Sequence, residues 1–154
     1  MQLITKDINN IALHKADVST ACKNIRFTKQ WLANAAKAEG YAIESLQYIF
    51  CSDKYLLAIN KKFLNHHNYT DIITFEYNVE KNVIADIYIS IDTVRTNAKR
   101  FNVTVADELH RVMIHGLLHV TGYNDKTTAL KQTMTARENH YLKKRRWIIQ
   151  KQTN

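Results

Sequence analysis

The sequence predicts an α+β fold, in which helices pack on one mixed β-sheet within a single domain. The two best strands, 70–77 and 83–91, lie in the middle of the chain and are separated by a loop short enough for a hairpin. Helical patterns flank these strands and cluster towards the C-terminus. The 154 residues include no proline and only three glycines, so no linker divides residues 1–154 into smaller domains.

The first third of the chain predicts one helix and one strand. Residues 28–39 are expected to form a helix, with Thr28 as its N-cap and Gly40 as the residue that ends it. Residues 45–51 alternate β-prone side chains and predict a strand. A further strand could lie near residues 2–8.

The other elements are predicted to be helices. After Ser52, apolar residues recur at helical spacing at Leu56, Leu57, Ile59 and Phe63. Asp92 is expected to start a second helix, and Thr104 to cap a third. The last helix is predicted to run from about Thr127 to Ile149.

Composition and charge narrow the class of protein. The chain is 45% hydrophobic and carries a formal net charge of +8, as expected for a globular protein with a polyanionic partner such as RNA. No apolar run approaches the ~18 residues of a membrane span, and the N-terminus lacks the pattern of a signal peptide. Cys22 and Cys51 lie in unrelated contexts, which fits free thiols in a reducing cytoplasm. We therefore expect a cytoplasmic protein.

The segment "HGLLHVTGYND" (115–125) has the spacing of a metal site at the end of a central helix. In a helix over residues 105–121, His115 and His119 are neighbours one turn apart, on a face that also carries Glu108 and Arg111. Gly122 can end this helix, so that Asp125 approaches the same point from outside it. Two imidazoles, one carboxylate and an open fourth position are typical of catalytic zinc.

Each feature of this segment also has an interpretation without metal. Seven histidines give an i, i+4 pair by chance in roughly a quarter of such chains. Asp125 could be a solvated residue after a helix end. Gly116 indicates either a close approach to the backbone or tight helix packing, since glycine costs about 0.5–1 kcal/mol in a helix relative to alanine. Because Gly116 also replaces the glutamate base of helical zinc proteases, a protease mechanism is disfavoured.

The stretch "DELHRVMIHGLLHVTGYND" (107–125) resembles the signature of the YbeY family, the metal-dependent endoribonucleases that mature ribosomal RNA. His115 and His119 match the first two metal ligands of that signature. Asp125 stands at the third ligand position, where the family pattern has histidine, and Asn124 stands where it has aspartate. Aspartate is a competent zinc ligand, although it favours harder metal ions than histidine does.

The resemblance extends over residues ~45–142. The strand "YTDIITF" (69–75) is similar to a family strand in which proline replaces Tyr69, and "ADIYIS" (85–90) is similar to one in which glycine replaces Ala85. One family position differs in kind, because Leu64 stands where members commonly carry an arginine for RNA binding or catalysis. Nearby residues that could substitute for it are Lys61, Lys62, His66 and His67.

The resemblance implies a zinc-dependent endoribonuclease that acts on single-stranded RNA in rRNA maturation and ribosome quality control. One zinc ion per chain, held by His115, His119 and Asp125, would activate a bound water or stabilise charge while a ribose 2′-OH attacks. The sequence identifies no catalytic side chain. Arg111 could contact phosphate or pair with Glu108.

Several other assignments stay open. Asp71 and Asp86 could orient the histidines or serve in local hydrogen bonding. The basic segment "LKKRRW" (142–147) could bind RNA or be a solvated helix end. The alternative function is a non-catalytic ribosome-assembly factor that binds rRNA or a ribosomal protein and uses a structural metal. A DNA-binding protein is not expected, because no predicted helix has the basic face of a recognition helix.

Overall fold

The computed structural model describes residues 2–19, 22–64 and 70–148. Within these residues the chain forms one domain of four strands and six helices of eight residues or more, to which residues 146–148 add a short helical segment. In chain order they are α1 (Gln2–Asn9), β1 (Ile11–Lys15), α2 (Ile25–Ala38), β2 (Ala42–Cys51), α3 (Asp53–Leu64), β3 (Ile72–Glu76), β4 (Asn82–Ser90), α4 (Ile91–Arg100), α5 (Val105–Val120) and α6 (Thr128–Leu142).

The four strands form one mixed sheet in the order β1-β2-β4-β3. The strands β1, β2 and β4 pair in parallel, whereas β3 pairs with β4 as the antiparallel hairpin that the sequence predicts. The parallel pairs require crossover connections, and helices supply them. The predicted α+β class with one mixed sheet is therefore confirmed.

The main core lies between one face of the sheet and the helices α2 and α5. Leu46, Tyr48 and Phe50 of β2 alternate towards this core, as do Ala85, Ile87 and Ile89 of β4. The Tyr48 hydroxyl donates to the carbonyl oxygen of Met113, 2.9 Å away, within the buried middle of α5. A smaller cluster, centred on Cys51, Leu56 and Ile73, packs α3 on the opposite face. The sheet thus fixes the position of α5 from below.

Gly116 marks the closest approach of α5 to the sheet. A Cβ atom at this position would lie 2.9 Å from Cδ1 of Ile72 and 3.1 Å from both Cδ1 and Cγ2 of Ile87. Such contacts are shorter than van der Waals separation, so the glycine is explained by helix–sheet packing. Because His115 is its neighbour, this packing also sets the height of the histidine above the sheet.

Replacing Gly116 with alanine is expected to lower the free energy of unfolding by about 1 kcal/mol, because overpacking outweighs the gain in helix propensity. Urea denaturation of the wild type and the variant would measure the difference. A gain in stability of the size usual for glycine-to-alanine changes in helices, about 0.5–1 kcal/mol, would contradict this account of the packing.

Several predicted element boundaries are confirmed. Gly40 follows α2 with a φ angle of 86°, a backbone conformation that favours glycine. The Thr104 hydroxyl accepts a hydrogen bond from the backbone N–H of Asp107, and the Thr127 hydroxyl accepts one from that of Leu130. Thr104 is therefore the N-cap that the sequence predicts for α5, and Thr127, from which the last helix is predicted to run, caps α6.

Two predicted helix starts are wrong. Thr28 lies one turn inside α2, where its buried hydroxyl donates to the carbonyl oxygen of Asn24, the true N-cap position. The helix α4 begins at Ile91 rather than at Asp92, because Ser90 caps it by accepting from Thr93 N–H. In both cases the helix starts N-terminal to the residue selected from the sequence.

The N-terminal prediction is also wrong, because residues 2–9 form the helix α1 instead of a strand. The first strand is β1, residues 11–15, which the sequence analysis missed. It pairs in parallel with residues 46–50 of β2. A five-residue edge strand carries little periodicity of its own, and its partner lies about 35 residues away, so nothing local indicates it.

The predicted last helix is interrupted. The helix α6 ends at Leu142, and residues 146–148 form a separate helical segment, while Ile149 lies outside the described residues. Between them, the Arg145 guanidinium donates to an Asp107 carboxylate oxygen at 2.9 Å and to Nδ1 of His110 at 2.8 Å. This buried pairing turns the chain back onto α5. No helix in the described part of the chain is long and apolar enough to cross a membrane.

Candidate metal centre

The C-terminal end of α5 and the following turn bring the three predicted ligands together. His115 and His119 lie one turn apart on α5, with their Nε2 atoms 3.0 Å from each other. The chain leaves the helix at Thr121 and Gly122 and returns so that Oδ2 of Asp125 lies 3.6 Å from Nε2 of His115 and 3.7 Å from Nε2 of His119. One ligand atom from each side chain thus lies within 4.8 Å of the others, so the group could hold a metal ion.

The ring orientation of both histidines is set by their other nitrogen. Nδ1 of His115 lies 2.6 Å from a Glu138 carboxylate oxygen, and Nδ1 of His119 lies 3.1 Å from the Tyr123 carbonyl oxygen. Because carboxylates and carbonyls accept, both Nδ1 atoms carry the proton. In the neutral rings each Nε2 is therefore an acceptor, and the two converge with the Asp125 carboxylate.

The close approach of these three acceptor atoms indicates a site for a cation. Acceptors this close repel one another unless a proton or a metal ion lies between them. Two ligand atoms bound to one tetrahedral zinc at ~2.0–2.1 Å lie roughly 3.3 Å apart. The observed separations of 3.0, 3.6 and 3.7 Å bracket that value. The residues present therefore fit a zinc-sized ion.

Electrostatics distinguishes the two histidines. Burial alone lowers the pKa of His115, but the hydrogen bond and the negative charge of Glu138 outweigh it, so the pKa is raised. Burial and the neighbouring His115 lower the pKa of His119. The opposite shifts favour protonation of His115 over His119 when no metal ion is bound, and a proton there competes with metal binding.

Glu138 of α6 connects His115 to Arg111. Its second carboxylate oxygen lies 2.8 Å from Nη1 of Arg111, whose Nη2 donates to the Asn139 side-chain oxygen at 2.7 Å. The Glu138 side chain is only 8% exposed and that of Arg111 is 36% exposed, so this ion pair is shielded from water on the side of the glutamate. Arg111 therefore pairs with Glu138 and not with Glu108, and a phosphate contact by its remaining donors stays a prediction.

Asp71 and Asp86 do not hold the histidines by hydrogen bonds in the described structure. Asp86 is adjacent to Ile87 in β4, and Ile87 faces Gly116 of α5, so Asp86 points to the opposite face of the sheet. Asp71 is near enough to His115 for their charges to interact, yet burial is the main influence on this carboxyl and raises its pKa. Burial likewise raises the pKa of Glu108.

Glu138 is the site residue that the sequence analysis missed. It lies 23 residues after His115, on a helix whose packing against α5 no local pattern reveals. The available signal was a glutamate within the predicted last helix, together with the need of a metal-bound histidine for a partner on its second nitrogen.

Changing Glu138 to glutamine is expected to weaken zinc binding by about 10- to 100-fold, because the amide lacks the charge that holds the Nδ1 proton and raises ligand basicity. Competition with a chromophoric chelator measures the affinity without relying on activity. Glu44→Gln is the matched control, since Glu44 is exposed on β2. An affinity equal to that of the control would show that Glu138 does not support His115.

A groove of about 890 Å³ adjoins the candidate centre. It runs between α5 and α6, and Arg111 and Glu138 belong to its lining. Exposed Phe101 and Val103 and part-buried Leu142 supply apolar surface to the same groove. A bound chain could therefore pass beside Glu138, which holds His115, and beside Arg111, which pairs with Glu138.

Comparison with known proteins identifies the family. The family model described as endoribonuclease YbeY matches residues 9–146 of the sequence. The chain belongs to the YbeY family. The predicted resemblance is therefore confirmed, and it extends further towards the N-terminus than the motifs indicate.

Relatives named endoribonuclease YbeY are similar over most of their length. The protein from Cytophaga hutchinsonii is 49% identical over 138 residues, which cover 89% of this chain and 96% of the relative. The protein from Bacteroides thetaiotaomicron is 45% identical over 117 residues, or 76% of this chain and 85% of the relative. These alignments place the chain firmly among YbeY proteins.

A solved structure shares the fold. The solution structure of TM1509 from Thermotoga maritima superposes with a TM-score of 0.66 at 25% sequence identity. The match covers 92% of this chain and 93% of that protein. The mixed sheet and its helices therefore form a fold that this solved structure shares over almost its whole length, with no additional domain in the described residues.

The position of the expected family arginine is only partly described. Leu64 is the last residue of α3 and is 40% exposed. Lys61 and Lys62 are exposed in the same helical turn, whereas His66 and His67 lie outside the described residues. The replacement of the arginine by one of these four residues stays a prediction.

Proposed function

We propose that this chain is a zinc-dependent endoribonuclease that cleaves single-stranded RNA during rRNA maturation and ribosome quality control in the cytoplasm. One zinc ion per chain is held by His115, His119 and Asp125. Ribosomal RNA is the expected partner, ribosomal proteins are further candidates, and neither DNA nor a membrane is expected. Membership of the YbeY family supports an RNA-cleaving hydrolase.

The observation that carries the proposal is the convergence of two histidine Nε2 atoms 3.0 Å apart, with both Nδ1 atoms already committed to other acceptors. A histidine pair that served only packing would not need a hydrogen bond to the Nδ1 atom of each ring. Fixing both tautomers is instead a common arrangement in metal sites, since it leaves each Nε2 free to coordinate.

The bound zinc would supply a Lewis acid that activates a water and polarises the phosphodiester. Groups of the protein itself orient the two histidines and provide hydrogen-bond donors for the substrate. Glu138 holds the Nδ1 proton of His115, and the Tyr123 carbonyl holds that of His119. Arg111 donates to the carboxylate oxygen of Glu138 that does not contact His115, and so neutralises the charge of the glutamate. Its remaining N–H groups can donate to a phosphate oxygen.

The ligand set favours a catalytic over a structural metal. Structural zinc sites are normally closed by four protein ligands, whereas catalytic sites have three and leave one position for water or substrate. Within the described residues the group contains three ligands, and the Asp125 side chain is 40% exposed. Such an open site supports catalysis rather than the alternative of a non-catalytic assembly factor with a structural metal.

The proposal is tested with a labelled single-stranded RNA and a duplex of the same sequence. Cleavage is measured with the protein as purified, after treatment with a chelator, and after zinc is restored. We expect internal cleavage of the single strand, its loss on chelation and its recovery with zinc. RNA binding without cleavage under all three conditions would contradict the proposal and favour the assembly factor.

A further inference from the structure

The basic segment "LKKRRW" (142–147) is divided by the fold into an inward and an outward set. Arg145 and Trp147 point inwards and are 8% exposed each. Arg145 pairs with Asp107 and His110, as described above, and Trp147 packs edge-on against His110 with their ring centres 5.7 Å apart. These two anchors press the segment onto α5.

The outward set consists of Lys143, Lys144 and Arg146. All three side chains are exposed, and none forms an ion pair within the described part of the chain. Three unpaired cations beside two buried anchors are held close together, at an electrostatic cost that a polyanion would relieve. The segment therefore presents a positive surface to which a polyanion can bind.

Two of these cations border a shallow pocket of about 280 Å³ against α2. Its lining, which we call the α2 patch, consists of Phe27, Gln30, Trp31, Asn34, Lys144, Arg146 and Trp147. The Phe27 ring stacks on that of Trp147 with centroids 6.0 Å apart and an interplanar angle of 13°, and Phe27 is nonetheless 51% exposed. The Phe27 ring thus packs on Trp147 while about half of its surface stays open to solvent.

The chemistry of the α2 patch matches an unpaired nucleotide. Exposed aromatic rings stack on bases, and lysine and arginine side chains bind phosphates. The exposed amides of Gln30 and Asn34 can donate to and accept from base edges. No carboxylate lines the patch, so nothing there repels a phosphate. A protein partner would be expected to need a larger exposed apolar centre than one phenylalanine ring.

We propose that the α2 patch binds a single-stranded segment of RNA at a distance from the metal centre. This inference rests on the proposed function, since it gives an RNA substrate a second point of contact. The patch packs on α5 at His110, which precedes His115 by five residues and faces another side of the helix. A strand held at both places would extend around α5.

The first test compares Lys144→Ala/Arg146→Ala with the control Lys37→Ala/Lys54→Ala, which removes two exposed lysines outside the patch. Binding of a labelled single-stranded RNA is measured by fluorescence anisotropy in the presence of chelator, so that no cleavage occurs. We expect about tenfold weaker binding by the patch variant alone. We also expect the slope of log Kd against log salt to fall by roughly 1.4, or about 0.7 for each lost phosphate contact.

The second test uses intrinsic fluorescence, because both tryptophans of the chain, Trp31 and Trp147, line the patch. Single-stranded RNA is expected to change their emission, whereas a duplex of equal length is not. Phe27→Leu, which keeps apolar packing on Trp147, should weaken single-strand binding at least about fivefold.

Unchanged emission at saturating RNA, together with equal affinities of the patch variant and the control, would overturn the inference. That result would leave a protein partner as the occupant of the patch. Failure of this inference is distinguishable from failure of the proposed function. An enzyme that cleaves RNA with no effect of the patch refutes only this inference, and RNA binding at the patch without cleavage refutes only the nuclease.

Discussion

Replacing His119 with alanine is expected to reduce RNA cleavage by at least about 10³-fold while leaving the fold intact. A metal ion contributes several kcal/mol to transition-state stabilisation, and about 4 kcal/mol corresponds to a factor of 10³ in rate. His119 is part-exposed at the end of α5, and its ring contacts His115 and the Tyr123 carbonyl rather than the core. Its loss should therefore affect the metal centre far more than stability.

Rates of cleavage by the wild type, His119→Ala and the control His14→Ala provide the measurement. His14 is exposed on the edge strand β1, where its ring hydrogen-bonds the Gln47 side chain. It does not belong to α5 or to the turn that carries Asp125. Unaltered cleavage by His119→Ala would refute a catalytic role for the metal centre. Circular dichroism and thermal melting of all three proteins would verify that they fold alike.

Substitutions at Asp125 separate a metal ligand from a helix-end residue. Asp125→Ala should lose most of the activity, whereas Asp125→His should retain it, because histidine supplies a ligand at the position where the family pattern has one. A solvated residue after a helix end would tolerate both changes equally. Equal cleavage by the two variants would therefore contradict the assignment of Asp125.

Acid is expected to destabilise the fold through His110. Burial and the positive charge of Arg145 lower the pKa of His110 from its ordinary value of 6.5 to about 4. The Arg145 guanidinium can only donate, so Nδ1 of His110 must accept and the ring is neutral in the folded state. Protonation of the ring would place two cations together in a buried site.

The sign of this effect follows from proton linkage. Between about pH 6.5 and pH 4 the unfolded chain binds a proton on His110 that the folded chain does not, so stability is full above pH 6.5 and falls as the pH drops towards 4. Each pKa unit corresponds to about 1.4 kcal/mol, which gives a loss of about 3 kcal/mol over this range.

Urea denaturation at pH 7 and pH 4 would measure this loss in the wild type and in His110→Asn. The asparagine can still accept from Arg145 through its side-chain oxygen but does not titrate. Carboxylates titrate in both proteins, so the difference between their pH dependences isolates the histidine. Parallel pH dependences would show that His110 is not the acid-sensitive group.

The elements predicted well from the sequence are those whose signals are local. The helix α5 carries its own N-cap, Thr104, and a regular apolar surface, so its limits and its histidine-bearing face follow from one segment. Val105 departs from that pattern, because it is apolar and yet 44% exposed. The hairpin of β3 and β4 is likewise encoded by adjacent residues. Asp125 could be placed beside the histidines because the helix ends at Gly122, only a few residues after them.

The features that were missed depend on contacts between distant residues. The edge strand β1 is defined by its pairing with β2. The end of α6 is determined by Arg145, which reaches Asp107 and His110 across the helix pair. Glu138 becomes a site residue only because α6 packs beside α5. None of these contacts leaves a periodic trace in the sequence, which is why the sequence indicated the three converging side chains but not the glutamate that orients one of them.

Metal content is the most direct test of the metal centre. The protein should be purified without an affinity tag or a nickel column and analysed by inductively coupled plasma mass spectrometry, beside a His115→Ala/His119→Ala variant of proven fold. Close to one zinc ion per wild-type chain, absent from the variant, is the predicted result. A wild-type chain that carries no metal and takes up none on reconstitution would show that the two histidines and Asp125 merely end a helix, and would contradict the proposed enzyme.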